Sequence, residues 1–410
     1  MQTQSPSSMM ERILRLMAEK KASDVYLSAY APATIKINGV HLPINNSILP
    51  PEAVLNLLMD VVDPDRIEEL KDSGELNMAI PMPGVGNFRL SAMRQRGSYA
   101  AVLRYISPEI PPLESLNLPR ILSELVMQKR GLILMVGATG AGKSTTLASM
   151  LDHRNKNAAG HILTIEDPME YVFTNHKSLI NQREVGSDTA SLGVALRNAL
   201  RQAPDVIMIG EIRDRETMAA AVAYAQSGHL CLATLHASNS YQALNRVLNF
   251  YPVEVRPSLL GDLATALKSI VSQRLLRTID GGRTPAVEVL LNTTLVSDMI
   301  EKGDFSGVRE AMINSMAEGS QTFEEDLARL INEGRVDRKE ALINADSPTN
   351  LMWRLQNSVS RAAGAPSEAE LPSDEPSFSD ITLDVFPFNA GANQGFQPSK
   401  AGSLSDSGLG

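Results

Sequence analysis

Gly131-Leu132-Ile133-Leu134-Met135-Val136 runs into Gly137-Ala138-Thr139-Gly140-Ala141-Gly142-Lys143-Ser144, and Thr145 to Leu151 follow. The first stretch reads as an apolar strand, the second matches every position of the phosphate-loop pattern, and the third opens a helix. That order of strand, loop and helix is the context the pattern needs. Glycines let successive backbone amides curl around an anion. A helix N-terminus adds unsatisfied N–H groups and a partial positive charge. Lys143 supplies a compact cation for β- and γ-phosphates. The Ser144 hydroxyl suits Mg²⁺, with phosphate oxygens and waters completing its octahedron. The alternative is a plain glycine turn between strand and helix.

Working outward, apolar strands recur at His161–Ile165, Val206–Ile209 and Leu230–Leu235, with helical stretches between them. Such alternation predicts an α/β fold with a parallel sheet covered on both faces. Residues 257–360 read as mostly helical. Upstream, residues 9–22 form an amphipathic helical pattern, with Ile13, Leu14, Leu16 and Met17 on one face. Alternating runs at Asp24–Ser28, Thr34–Asn38, Gly86–Arg94 and Ala101–Ile106 read as strands, and 51–62 as a helix. The expected organisation is an α+β domain over 1–106, a proline-dense linker over 107–119, an α/β domain over 120–360 and a tail over 361–410.

The 410 residues are 43% hydrophobic, and 38 basic residues face 47 acidic ones for a net charge of −9. That balance argues against a globally basic nucleic-acid binder. The single cysteine, Cys231, lies in an apolar run and reads as a core residue; no disulfide within the chain is available, which fits a reducing compartment. No apolar stretch approaches the ~18 residues of a membrane span. Met1–Met10 is polar and lacks a signal core, so a cytoplasmic chain is expected. Residues 366–410 carry seven acidic residues and one lysine among Ser, Pro and Gly, and are expected to be disordered. Within them, Ile381-Thr382-Leu383-Asp384-Val385-Phe386-Pro387-Phe388 is an apolar island that is either inert or a partner-binding element.

Two acidic segments follow strands. Glu166-Asp167-Pro168-Met169-Glu170 sits where open α/β sheets place ligands, and reads either as a water-orienting site or as a solvated turn. Asp205–Ile209 leads to Gly210-Glu211, a strand followed by one carboxylate, with glycine where many NTPases carry aspartate. His229 and His236 flank Leu230–Leu235; an extended span separates them by roughly 20 Å, so they cannot share a metal. His236, at the C-terminal end, suits a γ-phosphate sensor. The bland alternative for both histidines is structural.

The succession GATGAGKST, TIEDPMEYV, NQREVG, LRQAPDVIMIGEIRD and GHLCLATLHASN resembles the secretion ATPases of type IV pili, in their PilT/PilU retraction branch, over roughly residues 9–350. Thr294-Leu295-Val296-Ser297-Asp298-Met299-Ile300-Glu301 departs from the corresponding PilT-type box, which places the resemblance nearer PilU. The resemblance implies a PAS-like N-terminal α+β domain and a RecA-like P-loop ATPase domain with a helical C-terminal part. It implies Glu170 as the catalytic carboxylate and Glu211 as the acid near Mg²⁺, with His236 beside the γ-phosphate and His229 supporting it. Gly137, Ala138, Thr139, Gly140, Ala141, Gly142, Lys143, Ser144 and Thr145 would hold ATP. Arg89, Arg96 and Arg104 would be arginine fingers; their plainer reading is a solvated basic sheet edge. The implied assembly is a homohexameric ring, peripheral at the inner membrane, that works with a platform protein and a PilT-like partner to retract pili. The competing readings are a pilus-assembly or type II secretion ATPase, whose tetracysteine module a single cysteine cannot build, and a non-hydrolysing structural partner.

Overall fold

Alternating residues of the strand before the phosphate loop enter two different cores: Leu132, Leu134 and Val136 one, Ile133 and Met135 the other. Successive side chains of a strand point to opposite faces, so this strand is buried on both. The computed structural model describes residues 8–37, 40–106, 109–314 and 317–362. The acidic tail, with its apolar island, lies outside the described residues.

The strands are β1 (Asp24–Ser28), β2 (Pro32–Ile37), β3 (Val40–Ile48), β4 (Glu75–Met82), β5 (Gly86–Gln95), β6 (Ser98–Ile106), β7 (Gly131–Val136), β8 (Gly160–Glu166), β9 (Ser178–Glu184), β10 (Val206–Ile209), β11 (Leu230–Leu235), β12 (Leu267–Arg277) and β13 (Arg283–Leu291). The first six make an antiparallel sheet in the order β3-β2-β1-β6-β5-β4. The others make a sheet in the order β13-β12-β7-β11-β10-β8-β9, parallel except for the β12–β13 pair. Both sheets belong to one unit that ends at Val359.

The helix Met9–Glu19 starts where Ser8 accepts a hydrogen bond from the Glu11 amide, and it buries Met10, Ile13, Leu14 and Met17. With helices Ala53–Met59 and Pro64–Ser73 it covers the first sheet around Phe88, Leu90 and Leu103. Phe88 has no exposed surface. Phe88→Ala is expected to cost about 3–5 kcal/mol, because the pocket around a ring in a covered sheet collapses only partly. Denaturant midpoints measure this; a loss under about 1 kcal/mol would show that the core refills.

Residues 257–360 are mostly helical, as the pattern predicts, but the stretch also holds two strands that the pattern does not show, β12 and β13. Their buried faces carry Ser269, Ser272, Gln273 and Glu288, and these polar residues break the apolar run that marks a strand. The edge strand β9 reads as polar for the same reason, and β3 is exposed along its length. The described part of the linker, 109–119, is tied to the fold beside it. Leu113 is buried in a short 3₁₀ turn, and the Pro111 carbonyl accepts from Ser149 Oγ at 2.7 Å. Among the described residues no helix is long and apolar enough to cross a membrane.

Candidate nucleotide site

The loop after β7 turns at Gly140 and Gly142, with φ of 80° and 88°, where a side chain is disfavoured. A Cβ on Gly142 would also lie 2.7 Å from Gln273 Nε2. The helix Lys143–Asn157 starts at once, with no side-chain cap on its first amides, so those N–H groups are available to an anion. Lys143 is buried, and its ammonium donates to the Gly137 and Ala138 carbonyls at 2.8 and 2.9 Å. Burial lowers its pKa, while the charges of Glu211 and Glu170 oppose that shift. From β12, Gln273 donates to the Ala141 carbonyl and accepts from Thr146 Oγ1, both at 2.8 Å. Sequence reading missed Gln273, since a lone glutamine in a strand carries no local signal.

The parallel strands β7, β8, β10 and β11 end on one edge, so their following loops converge. There a cleft of about 600 Å³ is lined by Lys143, Ser144, Glu166, Glu170, Glu211 and His236, among others. Glu211 follows β10 and accepts from Arg213 Nε at 2.7 Å; His236 Nε2, after β11, stands 3.2 Å from its other oxygen. Arg213 also pairs with Asp167 at 3.2 Å. Gly210 is suited to its place: a Cβ there would meet the Glu166 Cα at 3.2 Å and the Ile165 carbonyl at 3.3 Å. Thr145 Oγ1 and the Tyr171 hydroxyl lie 2.8 Å apart at the helix start.

Glu166 closes β8 and is buried. Burial pushes its carboxyl from 4.5 up to about 7, against hydrogen bonds from Thr164 and Gln182. A carboxyl raised in the fold stays protonated while the unfolded chain ionises. The unfolded state then binds fewer protons, so stability falls as pH rises from about 4.5 to about 7 and is flat above. Glu166→Gln is expected to flatten that slope in denaturation curves between pH 5 and 8; an unchanged slope would assign it to other groups.

The basic residues divide. Arg89 and Arg104 face each other across β5 and β6. Arg104 lines the cleft, held by Nε on Asp24 Oδ1 at 2.8 Å, a bond that raises its pKa further. Arg89 lines a smaller space beside Asp167, Pro168, Met169 and Glu184. Arg96 is not among the cleft residues; it sits at φ 45° in the β5–β6 turn, far along the strand from Arg89. His229 is a correction to the expected nucleotide-binding set. It precedes β11 at the opposite edge of the sheet, its ring 3.1 Å from Ser227 Oγ, and the length of the strand keeps it from the cleft. Cys231 is fully buried within β11, and burial pushes its thiol pKa up.

Residues 3–341 match the family model described as type II/IV secretion system protein. The chain belongs to that family, in its PilT/PilU branch. It is 48% identical over 347 residues to the type IV pilus ATPase PilU of Pseudomonas aeruginosa, covering 84% of this chain and 91% of that protein. To the pilus retraction ATPase PilT of the same organism it is 36% identical over 338 residues, covering 82% and 98%. A crystal structure of the pilus retraction motor PilT with bound ADP aligns at a TM-score of 0.79 and 38% identity, over 84% of this chain and 99% of that one.

Proposed function

We propose that this chain is an ATP-hydrolysing motor of type IV pilus retraction. The observation that carries the reading is one cleft uniting the Lys143 loop with Glu170, Glu211 and His236. The uncapped helix N-terminus and the Lys143 ammonium hold the phosphates. Glu170, exposed at the cleft, orients and deprotonates the attacking water. His236, tied to Glu211, reads the γ-phosphate, and the Arg104 guanidinium offsets charge on the transferred phosphoryl group. Arg89 and Arg96, outside the cleft of their own chain, serve as arginine fingers toward a neighbouring subunit's site.

The donors present fit Mg²⁺, a hard cation that prefers oxygen. The Ser144 hydroxyl and the Glu211 carboxylate line the same cleft and would hold it, the second directly or through water. When bound, the cation neutralises charge on the phosphate oxygens. Among the described residues no cluster of three or more His, Cys, Asp or Glu forms a cage, so phosphate oxygens and waters would complete its shell.

In this reading residues 1–106 are a PAS-like domain and 120–360 a RecA-like ATPase domain, with 107–119 as hinge. Six copies form a ring at the inner membrane, and domain rotation on hydrolysis passes around it to a platform protein. Higher identity to PilU than to PilT supports a PilU-like subunit working beside a PilT-like partner. Imaging single pili tests this in strains lacking this chain, its PilT-like partner or both. Slower or weaker shortening without this chain is the expected result; unchanged shortening under load overturns the motor role.

A further inference from the structure

Glu170 lies in a stretch, 169–175, that forms neither helix nor strand. An acid that must meet a water within hydrogen-bond reach needs its backbone held. The clamp comes from Asn181-Gln182-Arg183-Glu184, a run to which the reaction assigned no role. These residues end β9, which pairs in parallel with β8 so that Gln182 stands beside Thr164 and Glu184 beside Glu166. Gln182 and Glu184 are two apart, so they share one face of the sheet. The Met169 amide donates to Glu184 Oε2 at 2.9 Å. The Phe173 amide donates to Gln182 Oε1 at 2.9 Å, and Gln182 Nε2 donates to the Tyr171 carbonyl at 2.8 Å. The same Nε2 reaches Glu166 Oε1 at 3.3 Å. Both neighbours of Glu170 are thus bound through the two β9 side chains.

We infer that Gln182 and Glu184 are positioning residues for Glu170, fixing residues 169, 171 and 173 so that its carboxylate stays at the cleft shared with Lys143. Neither side chain lines that cleft, so neither is expected to touch nucleotide. Displacing a reacting group by about 1 Å costs on the order of 10²-fold in rate while leaving ground-state binding alone. The effect belongs in kcat and not in nucleotide affinity.

The inference rests on Glu170 being the water-activating group, and the test separates the two. ATP turnover by the full chain and binding of a fluorescent ATP analogue are measured for Gln182→Met, Glu184→Met, Glu184→Gln, Glu170→Gln and the Gln182→Met/Glu170→Gln pair. Methionine keeps the side-chain length and removes the hydrogen bonds. Gln182→Met and Glu184→Met are expected to lose about 10–10²-fold in kcat, with analogue affinity within about two-fold. Glu184→Gln retains an acceptor for the Met169 amide and is expected within about three-fold of wild type. The double variant should be no slower than Glu170→Gln alone, since a residue that acts only through Glu170 has nothing left to position. Should Glu184→Met fail to fold, Gln182→Met and the double variant decide. Unchanged kcat in Gln182→Met, or losses that multiply in the double variant, overturn the inference. Wild-type turnover by Glu170→Gln would instead remove the reading on which it rests.

Discussion

Lys143→Ala is expected to abolish ATP turnover, with phosphate release falling by 10²-fold or more, on the order of the cost of deleting a charge that stabilises a transferring group. The ammonium rests on the Gly137 and Ala138 carbonyls, within the loop whose amides face the anion site. A triphosphate offers it stronger, charged partners than two neutral carbonyls. Ala138 is exposed, so water can replace the bond at its carbonyl; Gly137 is buried, and the loss of that one bond to a neutral carbonyl is small enough that the fold should survive. Released phosphate, with a melting curve as control, checks the outcome. If wild type and variant are equally inactive, the enzyme reading fails.

Glu170→Gln is expected to separate binding from chemistry. Its side chain is exposed, so the exchange to a neutral isostere leaves packing untouched. The loop and Lys143 still hold the phosphates. The water loses its proton acceptor, which is worth about 10²–10⁴-fold. Analogue binding within a few-fold of wild type, with turnover near background, is the expected pair of results. Loss of binding in this variant would move Glu170 from water activation to nucleotide contact.

The strands of the seven-stranded sheet were legible to different degrees. β7, β10 and β11 stand where their apolar runs lie, because a strand buried on both faces must be apolar throughout. β12 and β13 hid behind buried polar residues whose partners come from elsewhere: Glu288 accepts from the Ser240 amide at 2.8 Å, and Gln273 serves the phosphate loop. A one-dimensional pattern scores such residues as surface, since it cannot see the hydrogen bonds that make their burial tolerable. The site divides similarly. Lys143, Ser144, Glu170, Glu211 and His236 were named from motif and resemblance, and the cleft unites them. Tyr171, Gln182, Glu184 and Gln273 acquire meaning only from neighbours far along the chain or across the sheet, and Arg213 from joining nearby Glu211 to distant Asp167. His229 was placed with the nucleotide by resemblance alone; the extended span already set it roughly 20 Å from His236, and it stays at the far end of β11, outside the cleft.

The phosphate loop was settled by the sequence alone, because its requirements are local: glycines free to take positive φ, a helix beginning at the next residue, and a lysine placed to follow. Which carboxylates face that loop was a matter for the tertiary structure. The strand order β13-β12-β7-β11-β10-β8-β9 brings the ends of β8 and β10 to the edge where β7 ends. That order is written in pairings between strands far apart in sequence, and only the packed sheet selects among them.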